Sequence, residues 1–245
     1  LIVLGLLFMG LERLRPDQPL TRRRLWWPRA ILLNCSQVGA VVLAGYTLDV
    51  WVGRVSLLSL AEDLPTLPAA GIGYLVSTFV YYWWHRLRHR SDLLWRVFHQ
   101  LHHSPSRLET ITAFYKHPAE QAANTLVSAL VSYTLLGLSI EAAAWVTAFS
   151  ALGEFIYHVN TRTPRWLGYL VQRPEMHRVH HARGRHHHNY GDLPLWDMLF
   201  GTFSNPARAD GPCGFDAELE LELGEMLCGR DLHAGRDGGG SHALA

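Results

Sequence analysis

Apolar residues run through this chain in long blocks, separated by short polar stretches rich in arginine and tryptophan. Positions 30–50 are apolar over the length a helix needs, about 20 residues, to cross a bilayer core. The 51–67 stretch carries Arg54, Glu62, Asp63 and Pro65 and predicts a connection. Apolar character returns at 68–84 and closes on Tyr81, Tyr82, Trp83 and Trp84, aromatics of the kind that sit at a membrane interface. The 122–156 stretch is too long for one upright span and breaks near 137–141, so it predicts two passes joined by a tight turn, or a re-entrant hairpin. The opening block, 1–10, reads as the end of a membrane helix and not as a signal peptide. It has no basic start and no small-residue cleavage site after it. The pattern therefore predicts an all-α integral membrane helical bundle. One exception is 217–223, where apolar and acidic residues alternate and predict a short strand. We divide the chain at 205: a membrane domain over 1–205, and a C-terminal tail over 206–245 whose glycine-rich end, 238–240, reads as disordered.

Composition sharpens this picture. Charged residues make up 18% of the chain, and there are nine tryptophans and nine tyrosines, a balance that suits a membrane protein with interfacial aromatics. The net charge of +1 gives no case for nucleic acid. The local basic clusters say more. Arg22, Arg23 and Arg24 lie in the loop 11–29, which the positive-inside rule places in the cytoplasm. The next span leaves, 68–84 returns, and the 122–156 hairpin leaves and returns. The segments after 84, before 122 and after 156 then all lie on the cytoplasmic side. Cys35, Cys213 and Cys228 are far apart and form no CxxC pair, which argues against a disulfide scaffold or a cysteine-rich zinc site.

Those three segments hold the candidate chemistry. They contain His85 and His89 as HxxxH, His99, His102 and His103 as HxxHH, and His177, His180 and His181 as a second HxxHH. On a helix, positions i, i+3 and i+4 share a face, so each box aims two or three imidazoles at one region. Neutral imidazole ligates zinc, iron, copper and nickel. Eight grouped histidines exceed what one ion takes, since a mononuclear zinc site uses about three or four protein ligands. Two metals held by a cytosolic, histidine-rich helical cap follow. A pair of redox metals at a membrane surface suits O₂ activation against a lipid C–H bond, chemistry that side chains cannot supply.

The ordered set of motifs resembles the fatty acid hydroxylase and sterol desaturase superfamily of membrane di-iron oxidases. Trp84-His85-Arg86 opens box one in that family's manner. His117-Pro118-Ala119-Glu120 is similar to its segment after box two, and His158-Val159-Asn160 to its element before box three. Asn189-Tyr190-Gly191 and the run Leu195 to Thr202 resemble its last two signatures. The likeness covers about 11–206. It implies two iron ions, with zinc as an occupant of isolated protein, and O₂ as co-substrate. It also implies a sterol, fatty acyl or related lipid substrate, and electrons from an external cytochrome b5-, ferredoxin- or reductase-type protein. His158 joins the eight box histidines as a ninth expected ligand. No catalytic residue is expected apart from the metal ligands, and no cofactor-binding residue apart from them.

Other residues are weighed against plainer roles. Glu154, one turn before His158, is a candidate ligand or ligand-bonding acceptor, or simply the partner of an arginine. His117 is a candidate for the metal site or for bonding a ligand's second nitrogen. His186, His187 and His188 read as a solvated loop, and His233 and His242 as tail. Asn189, Tyr190 and Asp197 are expected to organise the loop behind box three. Gly71-Ile72-Gly73 lacks the strand and third glycine of a dinucleotide fingerprint and predicts close helix packing instead. The alternative function is a non-oxidative membrane metalloprotein, such as a zinc-dependent lipid hydrolase or a metal or haem carrier. A carrier would place polar groups near mid-membrane, where these spans offer few.

Overall fold

A computed structural model of the chain describes residues 1–47, 52, 55–184 and 187–233. Its elements are helical, and the β-type pairing among the described residues is an isolated bridge between Ala182 and Cys213. The principal helices are α1 (Ile2–Leu14), α2 (Trp26–Tyr46), α3 (Thr66–Arg90), α4 (Pro118–Ala129), α5 (Ile140–His158), α6 (Pro174–His180) and α7 (Pro194–Leu199). Between α3 and α4 lies a segmented helix made of Asp92–Leu94, a π-helical turn at Trp95–His99, and Gln100–His103.

The expected hairpin over 122–156 is present. α4 continues into a π-turn at Leu130–Leu135, and the chain reverses before α5. Gly137 sits in the reversal at φ 59, and a Cβ there would lie 2.1 Å from the Leu58 carbonyl oxygen, so only glycine suits the turn. Ser139 then caps α5, its hydroxyl accepting from the Ala142 N–H at 3.1 Å. α3 packs along α5, and Gly73 makes the approach possible. A Cβ on it would fall 2.7 Å from Leu138 and 2.8 Å from Val146. Gly71, by contrast, meets nothing within 4 Å, so only one of the two glycines serves the contact.

Two apolar cores form among the described residues. One is built from α3, the π-turn and α5 around Ala69, Ala70, Val131, Leu138, Ala142 and Val146. The other joins the start of α2 to the cap through Trp26, Leu33, Trp95, Leu101, Tyr115 and Phe215, with Trp26 stacked on Tyr115 at 5.3 Å. The rest of α2 turns an apolar face outward, including Ile31, Leu32, Val38, Val42 and Leu43. An exposed apolar face of that extent is costly in water and cheap in lipid.

Three expectations change. Among the described helices one, α2, is long and apolar enough to cross a membrane by length and composition; the expected further spans within α3 and the α4–α5 hairpin do not pass that test. The opening helix does not stop at position 10 but continues to Leu14. Its extension is held by Glu12, a buried carboxylate whose Oε2 accepts from the Thr110 N–H at 2.8 Å, the Thr110 hydroxyl at 2.9 Å and the Asn160 N–H at 3.1 Å. Finally, the strand expected at 217–223 is absent. Leu219–Leu221 forms a 3₁₀ turn and Leu223–Leu227 a short helix. Leu219 packs beneath the Trp26 core while its neighbour Glu220 is also buried, bonded by Arg23 at 3.0 Å. Burial of consecutive residues breaks the period of two that a strand needs. The glycines at 238–240 and His242 lie outside the described residues.

Candidate metal centre

Box one rides on the last turns of α3, which puts His85 and His89 one turn apart on one face. Box two occupies the segmented helix after it, and box three the short helix α6 and the residue after it. His158 ends α5. All nine expected ligands converge, and they do so as two groups. His85, His89, His99, His103 and His180 form one, and His102, His158, His177 and His181 the other. Within each group the ligand atoms all lie within 4.8 Å of one another. The boxes are shared out between the groups rather than assigned one to each. His103 and His181 stack face to face, with ring centroids 4.1 Å apart, as the wall between them.

The donor geometry fits metal ions. Nitrogens at right angles around an ion at about 2.1 Å stand about 3.0 Å apart. Here the Nε2 atoms of His85 and His99 are 2.9 Å apart, those of His158 and His177 3.1 Å, and those of His177 and His181 3.0 Å. Five of the rings are also fixed from behind through Nδ1, which leaves Nε2 as the free lone pair. His85 donates to the Tyr190 carbonyl at 2.8 Å, His102 to the Tyr115 carbonyl at 3.3 Å and His158 to the Glu154 carbonyl at 2.8 Å. His180 donates to the His188 carbonyl at 2.8 Å, and His99 to the Glu120 carboxylate at 3.1 Å. Glu120 is in turn ion-paired with the buried Arg88.

Electrostatics favours the same state. Burial pushes His85, His99, His102, His103 and His177 well below the ordinary histidine pKa; neighbouring imidazoles add to the effect at all five, and the Arg88 or Lys116 cation at His85, His99 and His102. His158 falls to about 4 for the same reason, although the nearby Glu154 carboxylate opposes it. Neutral imidazoles are the ligating form, so the pocket keeps its donors ready without competition from protons. Burial raises Glu120 to about 7 against the pull of Arg88 and Lys116.

The profile of the fatty acid hydroxylase family matches residues 70–202. The chain belongs to that family. Fatty acid hydroxylase family relatives include ornithine lipid hydroxylase OlsE of Rhizobium tropici, 35% identical over 142 residues, which are 56% of this chain and 42% of that protein. Human alkylglycerol monooxygenase is 33% identical over 138 residues, 53% of this chain and 29% of its own length. Very-long-chain aldehyde decarbonylase GL1-4 of Oryza sativa subsp. japonica is 27% identical over 195 residues, 74% of this chain and 29% of its own. The matched part of this family member thus spans less than half of each relative. No solved structure is significantly similar to it.

Several secondary candidates resolve differently. Glu154 pairs with Lys116, and its carboxylate stands 3.5 Å from His158 Nδ1, whose bond goes to the backbone instead. His117 takes neither expected role. It caps α4, accepting from the Ala119 N–H at 3.0 Å, and reaches the Leu227 carbonyl at 3.2 Å. His186 lies outside the described residues, His187 is exposed, and His233 packs edge-on to Phe215 and belongs to neither group. Asn189, in the left-handed region at φ 58, donates to the Met176 and Ser204 carbonyls at 2.9 Å each. Asp197 accepts from the N–H groups of Tyr190 and Gly191 at 2.8 and 2.9 Å. These two residues hold the loop whose carbonyls orient His85 and His180. The carbonyls themselves carried no sequence signal, and neither did Glu12.

One prediction arises from this map. His187→Ala should leave metal content and turnover near those of the parent protein, because the ring is exposed and outside both groups. Loss of activity comparable to a box variant, in an assay on purified protein, would show that the loop contributes to the centre.

Proposed function

We propose that this chain is the oxidising core of a membrane lipid hydroxylase, with two iron ions held by the nine histidines. The observation that carries the reading is the pairing of two thiolate-free imidazole groups across the shared His103–His181 wall. Imidazole donors without sulfur suit iron, zinc or copper, and two metals side by side suit the shared reduction of O₂. When bound, the metals would supply O₂ activation and hydrogen abstraction from a C–H bond, which no side chain here can do. The overall balance is RH + O₂ + 2 e⁻ + 2 H⁺ → ROH + H₂O. The electrons require a separate donor of cytochrome b5, ferredoxin or reductase type.

The residues of this chain hold and orient the centre. The Nδ1 bonds fix ring tautomer and direction, and burial of all but His85 excludes bulk water. The Arg88–Glu120 pair anchors His99. A hydroxylase and a monooxygenase among the relatives support an alcohol product over an alkene. Their printed substrates, an ornithine lipid and an alkylglycerol, support a lipid with a long alkyl chain.

The reading includes a multi-pass arrangement in which α2, α3 and the α4–α5 hairpin cross the bilayer and the boxes face the cytoplasm. Single cysteines at Ser91 and Arg183 should then be labelled from the same side by a membrane-impermeant reagent. Labelling of only one in intact cells would mean an odd number of crossings between boxes two and three.

The deciding experiment uses iron-loaded protein, a surrogate reductant, ¹⁸O₂ and a lipid extract of the host. Two metals per chain and a lipid alcohol carrying the label are expected. Label drawn from water, with turnover independent of O₂, would transfer the assignment to a zinc-type lipid hydrolase.

A further inference from the structure

We propose that α7 and the 3₁₀ turn Arg165–Tyr169 form a non-spanning wedge immersed in the bilayer surface beside α3, in contact with the acyl–headgroup boundary of the lipids. The proposal rests on the reading above in one respect, that α3 crosses the membrane. It adds a second membrane surface that no spanning helix provides.

The first observation is chemical. Across 193–203 the one charged residue is Asp197, and it is buried and turned inward to the Tyr190 and Gly191 N–H groups and the Thr202 hydroxyl. What faces outward is Met198, Leu199 and Phe200, joined by Trp166, Tyr169 and Leu170 of the neighbouring turn. Leu199 is 62% exposed and Trp166 63%. The two elements are in contact, with Tyr169 and Phe203 rings 5.7 Å apart. Such a set of large apolar and aromatic side chains, with no outward charge in α7, suits the membrane interface and not water.

The second observation fixes the depth. The Trp196 indole N–H donates to the Thr78 hydroxyl at 3.0 Å, and its ring lies 5.0 Å from Phe79. Thr78 is seven residues before His85, about 10 Å further along α3 in the direction away from the histidines. Phe200 meets Trp83 at 4.8 Å. The wedge therefore runs alongside the last turns of the α3 span and not above them. Phe79 and Trp83 are themselves exposed, so the apolar faces of span and wedge are continuous. Arginines stand at the rim. Arg86 lies 5.4 Å over the Trp83 ring and Arg165 is exposed, the placement that lets a guanidinium reach headgroup phosphates above buried aromatics. From the wedge, packed rings lead straight to the centre. Phe200 stacks on Tyr82 at 5.4 Å, Tyr82 meets Tyr190 edge-on at 6.1 Å, and the Tyr190 carbonyl holds His85.

The test places a bimane label on single cysteines in phosphatidylcholine proteoliposomes of the full chain. Exposed Cys35 and Cys228 are replaced by serine and buried Cys213 is retained. Labels at Leu199 and Leu170 are compared with Val42 on the outer face of α2 and with His187 on the exposed loop. Brominated lipid should quench the Leu199 and Leu170 labels as it quenches Val42, and aqueous iodide should lose its effect on them while still quenching His187. Iodide quenching of Leu199 with Val42 in lipid overturns the wedge and leaves the membrane reading intact. Iodide quenching of Val42 as well overturns both. Protection of Leu199 from both quenchers means that a second protein copy covers the patch, and that also overturns the proposal.

Discussion

Replacing His103 by alanine should abolish turnover and lower the metal content below two per chain. Its ring belongs to the five-histidine group and stacks at 4.1 Å on His181 of the other group. Removing it therefore takes a donor from one site and a wall from the second. Substituting a residue that merely orients a ligand costs roughly 10–100-fold in metal affinity, and losing a donor outright should cost more. The apolar cores around Val146 and around Trp26 do not include His103, so the protein should still enter membranes and keep its helix content. Metal analysis together with circular dichroism on the same sample separates the two effects. A variant that retains two metals and full activity would remove His103 from the centre.

Replacing Glu120 should have the next largest effect, and the nature of the substituent should matter. Arg88 is 5% exposed at its side chain and Glu120 0%. Glu120→Ala leaves a guanidinium buried without its counter-ion, a change that costs about 3–5 kcal/mol when one partner of a buried pair is removed. The same substitution deprives His99 Nδ1 of its acceptor. Glu120→Gln keeps shape and an acceptor oxygen while removing the charge. Its metal affinity should fall by roughly 10–100-fold with a smaller loss of melting temperature. If Gln and Ala variants bind metal equally well and differ only in stability, Glu120 is a folding residue and does not orient His99.

The histidine boxes could be read from spacing because i, i+3 and i+4 positions share a helix face whatever else the chain does. How the boxes divide between the two groups could not. His102 and His103 are consecutive, hence about 100° apart around a helix, and they point into different groups. His180 and His181 part in the same way. The π-turn at Trp95–His99 adds a further rotation that no periodicity announces. His158, singled out by the His158-Val159-Asn160 motif, falls in the second group, whereas His117 of the His117-Pro118-Ala119-Glu120 motif is a helix cap. Backbone carbonyl partners such as those of Tyr115 and Tyr190 have no residue-type signature at all. In the fold, the α4–α5 hairpin showed in the pattern because apolar length and the break at Gly137 are local properties. The 217–223 strand failed because seven alternating residues carry less information than the tertiary contacts that bury Leu219 and Glu220 together. Glu12 escaped notice because its partners, Thr110 and Asn160, lie far away in the chain.

The distribution of box three between the two groups also bears on how the protein is made. His180 completes one group and His177 and His181 supply half of the other, and all three are delivered by α6 and the residue after it, downstream of the other boxes. A ribosome has therefore released boxes one and two, and the hairpin bearing His158, before either group has its full set of donors. Until α6 docks, those earlier imidazoles lack their partners and remain open to any metal in the surroundings. A metal can therefore meet a full set of donors in either group only once α6 has docked against the earlier boxes.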